Sequence, residues 1–252
     1  MTDISTHYSY LYRILQDIAT NSFLSPQLIF KGGTALMFFY DLPRFSVDLD
    51  FTLINKGEEE EVYRQLLGIT KEYGKIADSN LGFYGPKVVL DYGIGEWNLK
   101  IEVSNRYWGE QSDLMSLDGF SINVMNPSDM YAHKLIALSE RKGVANRDIF
   151  DILFFEENDI TPNEVLIEKR KGISLLDQLK TDLTILENYP QNRVLSSLAP
   201  LLTPEKAQWA RTHLLSSTVA QLEKRLRAEE LKQRLTLNIP DAMKIRCKGI
   251  KR

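Results

Sequence analysis

The chain has 252 residues, 43% hydrophobic and 26% charged, which suits one or two globular domains with a real core and argues against disorder. A formal net charge of -3 argues against an overall basic nucleic-acid binder. The charge is uneven: residues 221–252 hold ten Lys/Arg against four Asp/Glu, which leaves -9 on the rest. This basic end reads as a nucleic-acid contact or as a solvated tail.

In chain order, residues 6–21 place Tyr8, Leu11, Tyr12, Leu15 and Ile18 at helical spacing. Residues 27–30 (QLIF) read as a short strand that ends at Lys31-Gly32-Gly33, and Thr34 to Tyr40 as a short apolar helix. Pro43 marks a turn. SVDLDFTLI alternates, with Val47, Leu49, Phe51 and Leu53 on one face and Asp48, Asp50 and Thr52 on the other. An acid-started helix follows around EEEEVYRQLL, then strands near Lys87–Tyr92 and Asn98–Asn105. SINVM reads as a strand, and Asn126-Pro127 opens a helix. Another helix begins near Asn146. Beyond residue 160 the pattern is helical, with boundaries near Pro162, Pro190, Pro200 and Pro204, and residues 217–235 form a charged amphipathic helix. The expected division is a mixed α/β half, 1–158, and a helical half with a basic tail, 159–252.

Cys247 is the sole cysteine, so no intrachain disulfide can form. The N-terminus is polar and no run approaches membrane-spanning length, so a cytoplasmic protein with no membrane contact is expected. His7, His133 and His213 lie far apart with no C-x-x-C, which argues against zinc.

The chemistry concentrates in FKGGTALMFFYDLPRFSVDLDF, residues 30–51. Residues two apart in a strand point the same way, so Asp48 and Asp50 share a face. Two carboxylates this close need solvent or a cation, and a hard divalent ion such as Mg2+ suits oxygen donors. Gly32-Gly33-Thr34 stands between a strand and a helix, where free amides and close backbone approach favour phosphate, although a plain tight turn explains the glycines too. No G-x-x-x-x-G-K-[ST] is present. Glu102 alternates onto the polar face of its strand with Asn98, Lys100 and Ser104. It is a third-ligand or general-base candidate, or an ordinary surface carboxylate. Lys134 suits phosphate as a point charge, or snorkels at an apolar edge. Asp148 falls in a helix first turn, which favours any carboxylate, and Arg147 and Asp151 stand four apart and can pair along the helix.

Gly32-Gly33-Thr34-Ala35-Leu36, with Arg44-x-Ser46-x-Asp48-x-Asp50, resembles the first motif of the AbiEii/AbiGii-type toxins, members of the nucleotidyltransferase superfamily that includes DNA polymerase β. HKLIALSERKGVANRDIFDI, with Lys134, Arg141, Arg147, Asp148 and Asp151, resembles the family's Lys-x-x-Ala-x-x-x-Arg and Arg-Asp-x-x-Asp helices. The resemblance spans about residues 25–155. It implies an α+β fold, a polymerase-β-like core of mixed sheet and flanking helices followed by a helical region.

It also implies roles. Gly32, Gly33 and Thr34 would hold nucleotide phosphates, with Arg44, Ser46, Lys134 and Arg147 beside them. Asp48 and Asp50 would bind Mg2+ (or Mn2+), with Glu102 loosely third, because relatives often carry aspartate there. Asp148 would be an essential acid near the nucleotide. The implied activity is NMP transfer from an NTP to tRNA or another RNA, in a toxin–antitoxin or phage-defence system with a cognate antitoxin. A small-molecule or protein acceptor, or a non-catalytic nucleotide-binding module, are the alternatives.

Overall fold

The structure, a computed structural model, describes residues 4–93 and 97–237. Helix α1 (Ile4–Thr20) leads into strand β1 (Leu28–Lys31), which passes directly into helix α2 (Gly32–Phe39). After a loop come β2 (Asp48–Leu53), α3 (Glu59–Lys71), β3 (Lys75–Gly82), β4 (Gly85–Asp91), β5 (Leu99–Ser104), β6 (Ser112–Leu117) and β7 (Phe120–Met125). The remainder is helical: α4 (Pro127–Glu140), α5 (Asn146–Glu157), α6 (Glu164–Lys171), α7 (Leu175–Glu187) and α8 (Pro204–Leu237).

The seven strands form one mixed sheet in the order β3-β4-β5-β2-β1-β7-β6. β1 runs antiparallel to β2 and parallel to β7, while β2 and β5 are parallel. Two central strands therefore bring the last residue of β1 against the start of β2, with Lys31 opposite Asp50. On the other side of β2, Asp48 lies opposite Lys100 and Asp50 opposite Glu102. Leu49, Phe51, Ile101 and Val103 are buried, while Asp48, Asp50 and Glu102 stay partly or fully exposed. The alternation read from the sequence is thus realised over residues 48–51 and 99–103; Thr52 and Ser104, expected on the polar face, are buried at the ends of their strands.

Helix ends follow local chemistry. Asn126 and Pro127 open α4, and Asn163 and Ser174 accept backbone amides of Leu166 and Asp177 at the starts of α6 and α7. α6 stops at Gly172, whose φ of 70° suits a glycine. The helical half joins the same core as the sheet: Leu179, Leu183, Leu214 and Leu222 belong to one buried cluster with Phe30 and Phe51. Arg225 of α8 reaches across to Glu156 of α5 and the Ile160 carbonyl, and the buried Tyr131 hydroxyl donates to the same Glu156.

Several boundaries differ from the expectation. α2 starts at Gly32 rather than Thr34, because Lys31 is still extended (φ -149°) and the helical turn begins at once. β3 and β6 are strands the apolar pattern did not announce. Both sit at sheet edges, where solvent contact removes the need for a buried face. α8 runs from Pro204, well before residue 217. Of the basic end, residues 221–252, the part up to 237 belongs to α8 and the part from 238 onward lies outside the described residues, as does Cys247. No described helix is long and apolar enough to cross a membrane.

Candidate active site

A cleft of about 460 Å³ opens where the C-terminal end of β1 meets the N-terminal ends of α2, β2 and β5. Its size falls within the range of small-molecule sites. α4 and α5 supply the facing wall through Lys134, Arg141, Arg147 and Asp148. Eight Lys/Arg side chains line it against five Asp/Glu, a positive bias inside a chain whose net charge is negative.

The two glycines are needed for different reasons. Gly32 has φ +82°, and a Cβ there would come within 2.9 Å of Asp50 Oδ2. Gly33 has ordinary backbone, but a Cβ there would lie 2.5 Å from Arg44 Nη2 and 2.8 Å from Ser46 Oγ. The free amides of the first turn of α2 thus open beside the carboxylates of β2.

Asp48 is fixed from both sides of its strand. The buried Thr34 hydroxyl donates to the Asp48 carbonyl. His7 of α1 bonds the neighbouring Val47 carbonyl at 3.0 Å, with its other ring nitrogen 2.6 Å from the Tyr92 hydroxyl. Thr34, expected as a phosphate donor, therefore has its hydroxyl turned to the backbone of β2.

Asp50 loses most of its water to the surrounding protein, and that loss raises its pKa although Lys100 and Lys31 pull the other way. Lys31 is in the mirror situation: burial lowers its pKa despite Asp50 and Glu110 nearby. Lys100 Nζ stands 2.9 Å from Glu102 and 3.7 Å from Asp48. Burial opposes its charge, but Asp50, Asp48 and Glu102 outweigh burial and raise its pKa. Glu102 is half-exposed, and Lys100 outweighs burial to lower its pKa.

The second motif forms a buried charge network. Arg44, 2% exposed at its side chain, donates from Nε and Nη2 to the two Asp151 oxygens, both at 2.7 Å, and from Nη1 to its neighbour's carbonyl at 2.9 Å. Lys134 Nζ lies 2.8 Å from Asp148 and 2.7 Å from Asp151. Arg141 closes on the other Asp148 oxygen at 2.6 Å. Burial works against the charge on Lys134, but Asp148 and Asp151 overcome it and raise its pKa. For Asp151 burial is likewise overcome, by Arg44 and Lys134, and its pKa is lowered. The local pairing open to Arg147 and Asp151 does not form. Asp151 faces inward to Arg44 and Lys134, and Arg147 Nη1 instead approaches Asp48 at 3.9 Å.

Among the described residues no three His, Cys, Asp or Glu side chains are placed to hold a metal ion. Asp48 and Asp50 nonetheless offer a hard-oxygen pair on one face, and the desolvated Asp50 is a carboxylate that an added cation stabilises. That donor chemistry fits Mg2+ or Mn2+. Glu102 sits across from Asp50 by register but is engaged by Lys100.

All the sequence-expected residues meet around this one cleft, with Thr34 behind it. Nothing in the sequence pattern marks a role for Arg106, or for Lys100 beyond its strand face. Lys100 shares that face with Glu102, the one signal that points to it. Lys31 is marked only by its place before the glycines.

The family model for the nucleotidyl transferase AbiEii toxin of type IV toxin–antitoxin systems matches residues 13–241. JHP933 from Helicobacter pylori superposes with a TM-score of 0.53 at 20% identity, over 91% of this chain and 97% of that one. A putative nucleotidyltransferase from H. pylori gives 0.52 at 21% identity, over 87% and 96%. The nucleotidyltransferase toxin MenT4 from Mycobacterium tuberculosis H37Rv gives 0.50 at 17% identity, over 89% and 92%. At these identities the likeness establishes the fold, an α+β nucleotidyltransferase-like architecture with a helical C-terminal region. No curated protein sequence matches the chain.

Proposed function

This chain belongs to the family of AbiEii nucleotidyl transferase toxins of type IV toxin–antitoxin systems, and we propose that it transfers a nucleoside monophosphate from an NTP to an RNA acceptor, tRNA first. One observation carries this reading: the glycine-opened N-terminus of α2 stands against Asp50 and beside Asp48 in a cation-lined cleft. That combination offers a phosphate seat and an oxygen-donor pair within one site.

Asp48 and Asp50 would hold Mg2+ (or Mn2+), with Glu102 as a third oxygen donor. An ion held there would supply neutralisation of charge at the α-phosphate and acidification of an attacking hydroxyl. The chain's own groups do the rest. The amides of Gly32 and Gly33 face the outer phosphates. Lys134 and Arg147 present positive charge to them, and Arg44 and Ser46 pack under the glycine turn. Asp148 acts as a positioning residue, holding Lys134 and Arg141 toward the cleft. Thr34 acts through the Asp48 backbone. Lys100 stands where it can leave Glu102 for an incoming polyphosphate, which frees that carboxylate. The acceptor hydroxyl attacks the α-phosphorus, its proton goes to a carboxylate of the Asp/Glu set, and pyrophosphate leaves.

Family membership implies a cognate antitoxin and an NTP substrate. A cytoplasmic setting and a part in phage defence belong to the same proposal. The test is incubation with Mg2+, total tRNA and each α-labelled NTP in turn. Label should appear on tRNA and vanish with Asp48→Ala. Label on protein or a small molecule, with none on RNA, would change the acceptor class. No label with any NTP would overturn the reading.

A further inference from the structure

The β3–β4 hairpin ends in an arrangement that neither folding nor the transfer chemistry explains. Its two-residue tip is Phe83-Tyr84, between the paired Gly82 and Gly85. Tips of this length ordinarily carry Asn, Asp or Gly, chosen for backbone conformation. Here Phe83 is 88% exposed and Tyr84 58% exposed, so the rings gain little from burial.

The tip is nevertheless held firmly. The Asn105 amide donates to the Tyr84 carbonyl at 2.9 Å, and the Asn105 side chain donates to the Phe83 carbonyl at 3.2 Å. Gly85, at φ +115°, lets this backbone press against Val103, with no room for a side chain. The two rings meet edge to face, 5.1 Å apart. The Arg106 guanidinium lies over the Tyr84 ring at 4.5 Å.

Arg106 also lines the active-site cleft. The aromatic pair is therefore continuous with the cation-rich opening, through a residue that touches both. Exposed, anchored aromatic faces beside a positive groove are the means by which proteins hold unpaired bases: the faces stack on bases and the cations follow phosphates.

We propose that Phe83, Tyr84 and Arg106 form the platform on which unpaired bases of the acceptor stack, so that a single-stranded RNA end reaches the cleft. This rests on the nucleotidyltransferase reading, since it assigns the acceptor side of that same site. The occupant is single-stranded RNA rather than duplex, because paired bases do not offer their faces. A protein partner at this surface would have no use for the cationic continuation into the cleft.

The test is fluorescence anisotropy of a labelled single-stranded ribo-oligonucleotide, and of a blunt duplex of the same length, with the full chain. NTP binding is followed separately with a fluorescent NTP analogue. Phe83→Ala/Tyr84→Ala should weaken single-strand binding about tenfold or more. The slope of log affinity against log salt should stay unchanged, because no phosphate contact is lost. NTP affinity should also stay unchanged, and Tyr84→Phe should bind like the parent. Parent-like single-strand binding by the double variant would overturn the platform, as would tighter binding of the duplex. No RNA binding by the parent, with NTP binding intact, would also overturn it and leave the tip to a protein partner. Loss of NTP binding in the parent would instead count against the transferase reading.

Discussion

Gly33→Ala sets two effects of opposite sign against each other. Alanine in a helix is favoured over glycine by roughly 0.5–1 kcal/mol. The backbone at Gly33 is not left-handed, so alanine meets no conformational strain there. On propensity alone the variant is stabilised. The structure predicts the reverse, because the new methyl would lie 2.5 Å from Arg44 Nη2 and 2.8 Å from Ser46 Oγ. A guanidinium at the end of a free side chain would move aside. This one is fixed by two 2.7 Å bonds to Asp151 and one of 2.9 Å to the Phe45 carbonyl. Forcing a methyl into such packing costs about 1–3 kcal/mol. If Arg44 lets go of Asp151, the loss rises toward the 3–5 kcal/mol of a broken buried pair. Urea unfolding should therefore show Gly33→Ala destabilised by about 2 kcal/mol, with NTP binding weakened. In an Arg44→Ala background the loss should be clearly smaller, because only the Ser46 Oγ contact, which a hydroxyl rotation relieves, remains. A stabilised single variant, or an equal loss in both backgrounds, would refute the argument.

Three more outcomes follow from the site and its support. Lys134→Met should weaken NTP binding by roughly ten- to a hundredfold, the worth of a charge-assisted phosphate contact, and Asp148→Asn should weaken it less; calorimetric titration decides between them. Mn2+ binding should fall on the acid side earlier than an ordinary carboxylate pair would allow, because the raised pKa of Asp50 lets a proton compete for the ligand. Asp50→Asn should lose both the binding and its pH dependence, read by the Mn2+ paramagnetic signal. Burial pushes Asp182 up to about 8, with Oδ2 unpartnered and Oδ1 accepting from Gln178 at 2.9 Å. Between pH ~4 and about 8 the unfolded chain releases a proton that the folded one keeps, so stability falls as pH rises. Asp182→Asn should therefore gain on the parent across that window, by on the order of several kcal/mol, and level off above it; an advantage independent of pH contradicts this.

The strands that bury one face were legible in the sequence. β2 and β5 alternate because Leu49, Phe51, Ile101 and Val103 are buried, and the same alternation placed Asp48, Asp50 and Glu102 together. β3 stayed hidden because it lies at the sheet edge with most of its residues exposed, so no apolar period survives to be read. Single cations on a strand look like any solvated face, so Lys31 and Lys100 gained meaning only from pairing register, and Arg106, in the loop after β5, only from its place at the cleft. The partner of Asp151 was not legible for a related reason. Helical spacing offers Arg147 as its neighbour, whereas the tertiary fold offers Arg44, 107 residues away in sequence, in a buried pair at 2.7 Å. The glycines signalled a turn, but the clash that makes Gly33 necessary comes from Arg44 and Ser46 folding back beneath it.

Asp48 and Asp50 are proposed to support transfer of a nucleoside monophosphate with loss of pyrophosphate. The most direct measurement counts both products in one reaction, α-labelled nucleotide on RNA and pyrophosphate released. Equal amounts of the two are expected from the parent and neither from Asp48→Asn or Asp50→Asn. RNA labelled only from a γ-labelled NTP, or full labelling by either variant, would contradict it.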